Sequence, residues 1–287
     1  MTTTINKIIV GYDGSADACA AARWGVDEAA RTGAAVEFCY AEEWPTVAMA
    51  DVPGAWFDDD YEHARQAMVG EAAADAALTH PSVVTHQVIV HAPAALTLCE
   101  RSADASAVVL GSRGHNAAAG LLGSVSVAVT AHAQCPVVVV RGFPVRSQEP
   151  VVVGFDGSDS ASAALDFAFE QAAARQTRLR VIEAWTTPVM HWTGPSVDAE
   201  RLTAATQITL EKTVASRQAR FPTVEVSSEV VVDQPAHALI EAAKDAQLIV
   251  VGSRGHGVLA GTVLGSVSQL VLHHSACSVA VIRNHRV

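Results

Sequence analysis

Lys7-Ile8-Ile9-Val10-Gly11-Tyr12-Asp13-Gly14-Ser15 returns in near-copy as Val151-Val152-Val153-Gly154-Phe155-Asp156-Gly157-Ser158. Each copy is a short β-rich apolar run stopped by glycine, which reads as a buried strand leading into a turn. Two further blocks repeat downstream in the same order. Gly111-Ser112-Arg113-Gly114-His115 reappears as Gly252-Ser253-Arg254-Gly255-His256, and Leu122-Gly123-Ser124-Val125-Ser126 as Leu264-Gly265-Ser266-Val267-Ser268. Three blocks in one order, twice, mark an internal duplication. The repeat is far longer than the roughly 20–50 residues of a solenoid unit, so each copy is a complete domain. Residues 1–145 form the first and 146–287 the second, joined through a segment with Pro144 and Pro150.

Outward from these blocks the pattern alternates. In the first half strands are predicted at Lys7–Gly11, Ala35–Ala41, Val83–His91, Ala107–Gly111 and Pro136–Arg141. Helices are predicted at Ser15–Arg31, Asp58–Leu78, Pro93–Arg101 and Ser124–Ala133. In the second half strands fall at Val151–Phe155, Leu179–Trp185, Val224–Val232, Leu248–Gly252 and Val279–Arg283. Helices fall at Ser160–Arg175, Val197–Arg220, Pro235–Lys244 and Ser266–His274. Strands alternating with helices imply an α/β fold, and their continuously apolar strands imply parallel sheets covered on both faces.

The 287 residues are 50% hydrophobic and only 17% charged, enough for each half to bury a core. No apolar run reaches the ~18–20 residues of a membrane span, and the N-terminus lacks a signal-peptide pattern, so a cytoplasmic protein without membrane contact is expected. A net charge of −11 argues against nucleic acid as a partner, since phosphate neutralisation by Lys and Arg supplies most of that affinity. Cys19, Cys39, Cys99, Cys135 and Cys277 are scattered without a C-x-x-C pair, as buried thiols in a reducing compartment would be.

In open parallel sheets ligands bind beyond the carboxyl ends of the strands, where the strand order reverses. Asp13 and Asp156 follow the first strands, Gly111 and Gly252 end the fourth, and Gly123-Ser124 and Gly265-Ser266 begin the next helices. Glycines let backbone amides approach an anion, and a helix N-terminus adds unpaired N–H groups and a positive dipole end. Ser124, Ser126, Ser266 and Ser268 add hydroxyls, and the aspartates suit ribose hydroxyls or a magnesium ion. The bland alternative makes the glycines turn formers and the serines helix caps; two loops placed alike favour a nucleotide. Neither G-x-x-x-x-G-K-[ST] nor G-x-G-x-x-G after a first strand is present, which excludes P-loop NTPases and the dinucleotide fingerprint.

Gly252-x2-Gly255-x9-Gly265-Ser266, with a V-G-x-D-G-S block upstream, resembles the ATP-binding universal stress proteins, here in a tandem two-domain form over nearly the whole chain. The resemblance implies two Rossmann-like (HUP-type) domains, each a five-stranded parallel sheet ordered 3-2-1-4-5 and flanked by helices. It also implies an ATP site in which Asp156 and Ala184 meet ribose and adenine. Gly252, Gly255, Gly265, Ser266, Val267 and Ser268 would then take the phosphates. The matching first-half positions are Asp13, Ala41, Gly111, Gly114, Gly123, Ser124, Val125 and Ser126. The first half departs from the pattern: residues 115–122 make its loop one residue shorter than residues 256–264, and Asn116 stands where Gly257 does. The second site is therefore expected to be the stronger one.

Arg113 and Arg254 are even choices between pairing, with phosphate or with a partner domain, and solvent. His273-His274 read as helix-end cations, Trp44 and Trp185 as core or interface anchors, and Asp58-Asp59-Asp60 as a helix start. His115 and His256 lack the acid and nucleophile of a hydrolytic triad. No general base or catalytic lysine is evident, so a binding module, or at most a slow hydrolase, is expected; the resemblance implies an ATP-binding regulator of stress or growth-arrest adaptation. The alternatives are a slow magnesium-dependent ATPase or phosphotransferase, and a nucleotide-free scaffold. A homodimer is expected from the apolar fifth strands, against the competing solution that they are covered within one chain.

Overall fold

The computed structural model describes residues 6–42, 59–114, 122–141, 148–186, 199–256 and 264–284, with backbone alone at 59–61 and 199. The expectations for Trp44, Asp58, His115, Asn116 and Gly257 lie outside the described residues. The chain divides into two compact units, Met1–Arg141 and Gly142–Val287.

The first unit runs β1 (Lys7–Gly11), α1 (Ala16–Thr32), β2 (Ala35–Ala41), α2 (Asp59–Thr79) and β3 (Thr85–Val90). It continues through α3 (Ala94–Arg101), β4 (Ala107–Gly111) and α4 (Ser124–His132) to β5 (Val137–Val140). Its strands lie in the order β3-β2-β1-β4-β5, every pair parallel. The second unit runs β6 (Val151–Gly154), α5 (Asp159–Arg175), β7 (Leu179–Trp185), α6 (Ala199–Gln218) and β8 (Val226–Val232). It then adds α7 (Pro235–Ala242), β9 (Leu248–Gly252), α8 (Ser266–His274) and β10 (Ser278–Ile282). Its order, β8-β7-β6-β9-β10, is that of the first unit, again all parallel.

The middle strands are valine and isoleucine runs whose side chains are wholly out of solvent, among them Ile9, Val10, Val108, Val109, Val152, Val153, Ile249 and Val250. A strand covered on both faces needs apolar side chains at successive positions, and β-branched ones suit the pleat. Phe169 of α5 is fully buried and stacks on Phe221 at 5.5 Å between ring centroids. The sheet order reverses beside β1 in one unit and beside β6 in the other. Both Gly-rich repeats fall at that reversal.

Some predicted boundaries shift, each for a local reason. Val83 and Val224 are buried, but their N–H groups close turns onto His80 and Phe221, so β3 and β8 begin later. The helix predicted over Pro235–Lys244 ends at Ala242 and tightens into a 3-10 turn over Ala243–Asp245; α3 is likewise followed by one over Ser102–Asp104. Ser15 stands outside α1 as its N-cap, accepting from the Ala18 N–H.

Among the described residues the first unit buries three charged side chains, Glu28, Glu37 and Arg65. Glu37 of β2 is 7% exposed and accepts from Arg101 Nε at 2.7 Å and Lys7 Nζ at 3.2 Å. Burial works against its charge, but hydrogen bonds from Arg101 and Lys7 outweigh it and hold the carboxyl below its ordinary range. A depressed folded-state pKa gives stability that is present above the unfolded value of about 4.3 and lost as pH falls through the folded one. Glu37→Gln should therefore cost about 1–2 kcal/mol at pH 7 and much less at pH 3, read by urea unfolding at both. Equal costs at the two pH values would refute the ion-pair account.

Candidate nucleotide site

The turn after β6 is built by its own residues. Gly157 sits at φ +82°, which a side chain would strain. That bend lets Asp156 Oδ1 accept from the Ser158 N–H at 3.0 Å, while Ser158 Oγ caps α5 by accepting from the Ala161 N–H at 3.2 Å. The first unit repeats this: Gly14 has φ +79°, Asp13 Oδ1 accepts from Ser15 N–H at 2.9 Å, and Ser15 Oγ caps α1. The V-G-x-D-G-S block is thus first a strand-to-helix joint. It leaves the second carboxylate oxygen of each aspartate facing the other Gly-rich loop, directly over Gly255 and Gly114.

Two glycines of the second loop serve close packing. A Cβ on Gly252 would stand 2.8 Å from the Ser160 carbonyl carbon and 2.9 Å from the Ala161 nitrogen, so β9 meets the start of α5 only with glycine there. A Cβ on Gly255 would collide with Asp156 Oδ2. The loop then returns to its strand, Gly265 N–H donating to the Ser253 carbonyl at 2.8 Å. Ser268 Oγ donates to the Gly252 carbonyl at 2.6 Å and Ser126 Oγ to the Gly111 carbonyl at 2.8 Å. These two hydroxyl protons go to the strand ends, so both serines act here as anchors of their helices.

The start of α8 contrasts with that of α5. Gly265 occupies the N-cap position of α8 and no side chain among the described residues caps the helix, whereas Ser158 caps α5. The same holds for Gly123 at α4. An uncapped first turn presents N–H groups without intrahelical partners, together with the positive end of the helix dipole.

That end of α8 opens onto a cavity of about 570 Å³. Asp156, Ala184, Gly252, Gly255, Gly265, Ser266, Val267 and Ser268 all line it. The sequence reading missed its apolar wall, made by Phe155, Ile182, Pro235, Leu239, Val251 and Leu264. Two positional signals point to that wall. Ile182 precedes Ala184 by two on β7 and so shares its sheet face, and Leu239 follows Pro235 by one turn of α7. Arg254, His256 and Gln269 also line the cavity, while Trp185 is not among the lining residues. The shape is bipolar: an apolar slot beside the sheet, and a cradle of glycine and helix-start amides. Glu183, behind the slot on β7, is held above its ordinary range, first by burial and then by the Asp156 charge.

In the first unit Asp13, Ala41, Gly111, Gly114, Gly123, Ser124, Val125 and Ser126 hold the equivalent positions at the strand ends and the start of α4. A Cβ on Gly111 would meet the Asp17 carbonyl carbon at 2.6 Å, the same close packing as at Gly252. Among the described residues of both units no cluster of three or more His, Cys, Asp or Glu side chains is placed to hold a metal ion. None of the described helices is long and apolar enough to cross a membrane.

Comparison with known proteins gives one answer. The profile of the universal stress protein family matches twice, over residues 4–141 and 148–283. A universal stress protein of Mycobacterium tuberculosis is 35% identical over 288 residues, covering 96% of both chains. One from Mycolicibacterium smegmatis is 33% identical over 290 residues, with the same coverage. Among solved structures, a universal stress protein from Archaeoglobus fulgidus superposes with a TM-score of 0.70 over 97% of this chain and 98% of its own. At 21% identity it speaks for the fold alone.

Proposed function

The chain belongs to the universal stress protein family, in a form carrying two copies of the domain, and from that premise we propose that its second domain binds ATP and that the chain works as a nucleotide-dependent regulator. The uncapped α8 start opening into the 570 Å³ cavity is the observation that carries this reading. Cavities of roughly 300–1,000 Å³ suit ligands of nucleotide size. Ile182, Ala184 and Leu239 offer an apolar slot for a base. Asp156 Oδ2 is placed to accept from ribose hydroxyls, and the amides of the Gly255 loop and the α8 start face the phosphates. A magnesium ion, if carried in with the phosphates, needs only one or two protein carboxylates, and Asp156 is the one at hand.

None of the five cysteines is in a disulfide, in keeping with the cytoplasm as the place of action. Self-association belongs to the same reading, and light scattering checks it against the chain mass of 29.9 kDa.

The test is the nucleotide content of the protein itself. Freshly purified chain is denatured and the released adenine nucleotide quantified. ATP near one or more equivalents per chain is the expected result. ADP in its place would favour turnover over regulation. A chain that releases no nucleotide and takes up no added ATP would overturn the reading and leave a scaffold.

A further inference from the structure

The two domains hold their loop arginines differently. In the first, Arg113 Nε donates to Asp17 Oδ2 at 3.1 Å, and Ser112 Oγ donates to the same oxygen at 2.6 Å. Asp17 lies in the first turn of α1, and the matching position in α5 is Ser160. Ser160 carries no charge; its Oγ donates to the Arg254 backbone carbonyl, and Ser158 Oγ does so at 3.4 Å. Ser15 Oγ makes the matching bond to the Arg113 carbonyl at 3.4 Å. Both loops are thus tied to a helix start through their main chain, but among the described residues only the Arg113 guanidinium is also engaged. Among the described residues no carboxylate pairs with Arg254, an exposed residue that lines the cavity that the α8 start faces.

We propose that Arg254 is the phosphate-reading cation of the second domain, and that Asp17 is a positioning residue that withholds Arg113 from that task in the first. This rests on the nucleotide reading above and deepens it. The amides of the cradle bind any anion nearby, whereas a guanidinium adds a fork of donors and a full charge for the outer phosphates. The second site should therefore rank ATP far above adenosine. In the first site the Asp17 carboxylate already neutralises the only arginine of the loop, so much less of the binding comes from phosphate charge. Burial of Asp17 opposes its ionisation but is outweighed by the Ser112 and Arg113 hydrogen bonds, which keep it charged and the clasp closed at neutral pH.

The test titrates adenosine, AMP and ATP separately into the full-length chain by equilibrium dialysis, for wild type, Arg254→Gln, Arg254→Lys, Arg113→Gln and Ser160→Asp. Arg254→Gln should lower ATP affinity by about 10–100-fold, the range of a charge-assisted hydrogen bond, while adenosine changes less than about twofold. Arg254→Lys should retain part of the difference. Arg113→Gln should leave the tight ATP site within about twofold. Ser160→Asp recreates the clasp and should reproduce most of the Arg254→Gln loss, with unfolding midpoints confirming that the variant folds. Equal losses for adenosine and ATP in Arg254→Gln, or none in either, would overturn the proposal while leaving the nucleotide site in place. An Arg113→Gln loss as large as that of Arg254→Gln, or a Ser160→Asp chain that binds ATP as wild type does, would overturn the positioning role of Asp17. A wild-type chain that binds none of the three ligands would instead overturn the nucleotide reading itself.

Discussion

Gly265→Glu is expected to lower ATP affinity at the second domain by at least about 100-fold without unfolding it. The backbone at Gly265 has φ −70° and ψ 152°, open to any residue. A Cβ there would stand 3.4 Å from Arg254 Cα and 3.5 Å from the Ser253 carbonyl oxygen, ordinary contacts. The new carboxylate would lie before the uncapped amides of α8, where it acts as a resident anion and repels an incoming one. As an acid at a helix start it should even stabilise α8 by a few tenths of a kcal/mol. Equilibrium dialysis reads the affinity and urea unfolding the fold. ATP affinity within tenfold of wild type would place the nucleotide somewhere other than this cavity.

Gly252→Ala should behave in the opposite way, costing the second domain about 2–3 kcal/mol of stability, near the upper end of the usual overpacking range. Its Cβ would fall under 3 Å from backbone atoms of Ser160 and Ala161 as well as from Ser160 Oγ. Backbone cannot rotate aside as a side-chain tip does, so β9 or α5 must shift, and both carry fully buried residues such as Ile249, Val250, Leu165 and Phe169. Because α5 also carries Ser158 and Ser160, which hold the Arg254 carbonyl, loss of ATP binding should follow from the shift. Urea unfolding of Gly252→Ala beside Gly265→Glu separates the packing glycine from the ligand-facing one. A Gly252→Ala chain as stable as wild type would show that the close approach of β9 to α5 is not required.

That contrast explains how far the sequence could be read. Strands Lys7–Gly11, Ala35–Ala41, Leu179–Trp185 and Leu248–Gly252 and helix Ser266–His274 fall where they were predicted, because an apolar run or helical repeat ends at an unmistakable stop. Val83 and Val224 misled because a buried valine plugging a turn looks like the first residue of a strand. In the site, glycine spacing placed the cradle but could not say which glycine packs against a helix and which faces the cavity. Ser126 and Ser268 looked like ligand donors, yet their hydroxyls hold strand carbonyls, a pairing that only three-dimensional proximity reveals. The apolar slot was missed because Leu239 comes from α7 and Ile182 from β7, far from the repeated blocks. The arginines looked equivalent because the difference between them lies in Asp17 and Ser160, on other helices altogether.

The central claim is that the cavity between the ends of β6 and β9 and the start of α8 holds an adenine nucleotide. A crystal structure of the full-length chain grown with a saturating non-hydrolysable ATP analogue tests it most directly. The account predicts the base against Ile182, Ala184 and Leu239, the ribose at Asp156, and the phosphates on the amides of Gly255, Ser266 and Val267 with Arg254 reaching the outer ones. Nucleotide bound elsewhere on the chain, or an empty cavity at saturating analogue, would contradict it.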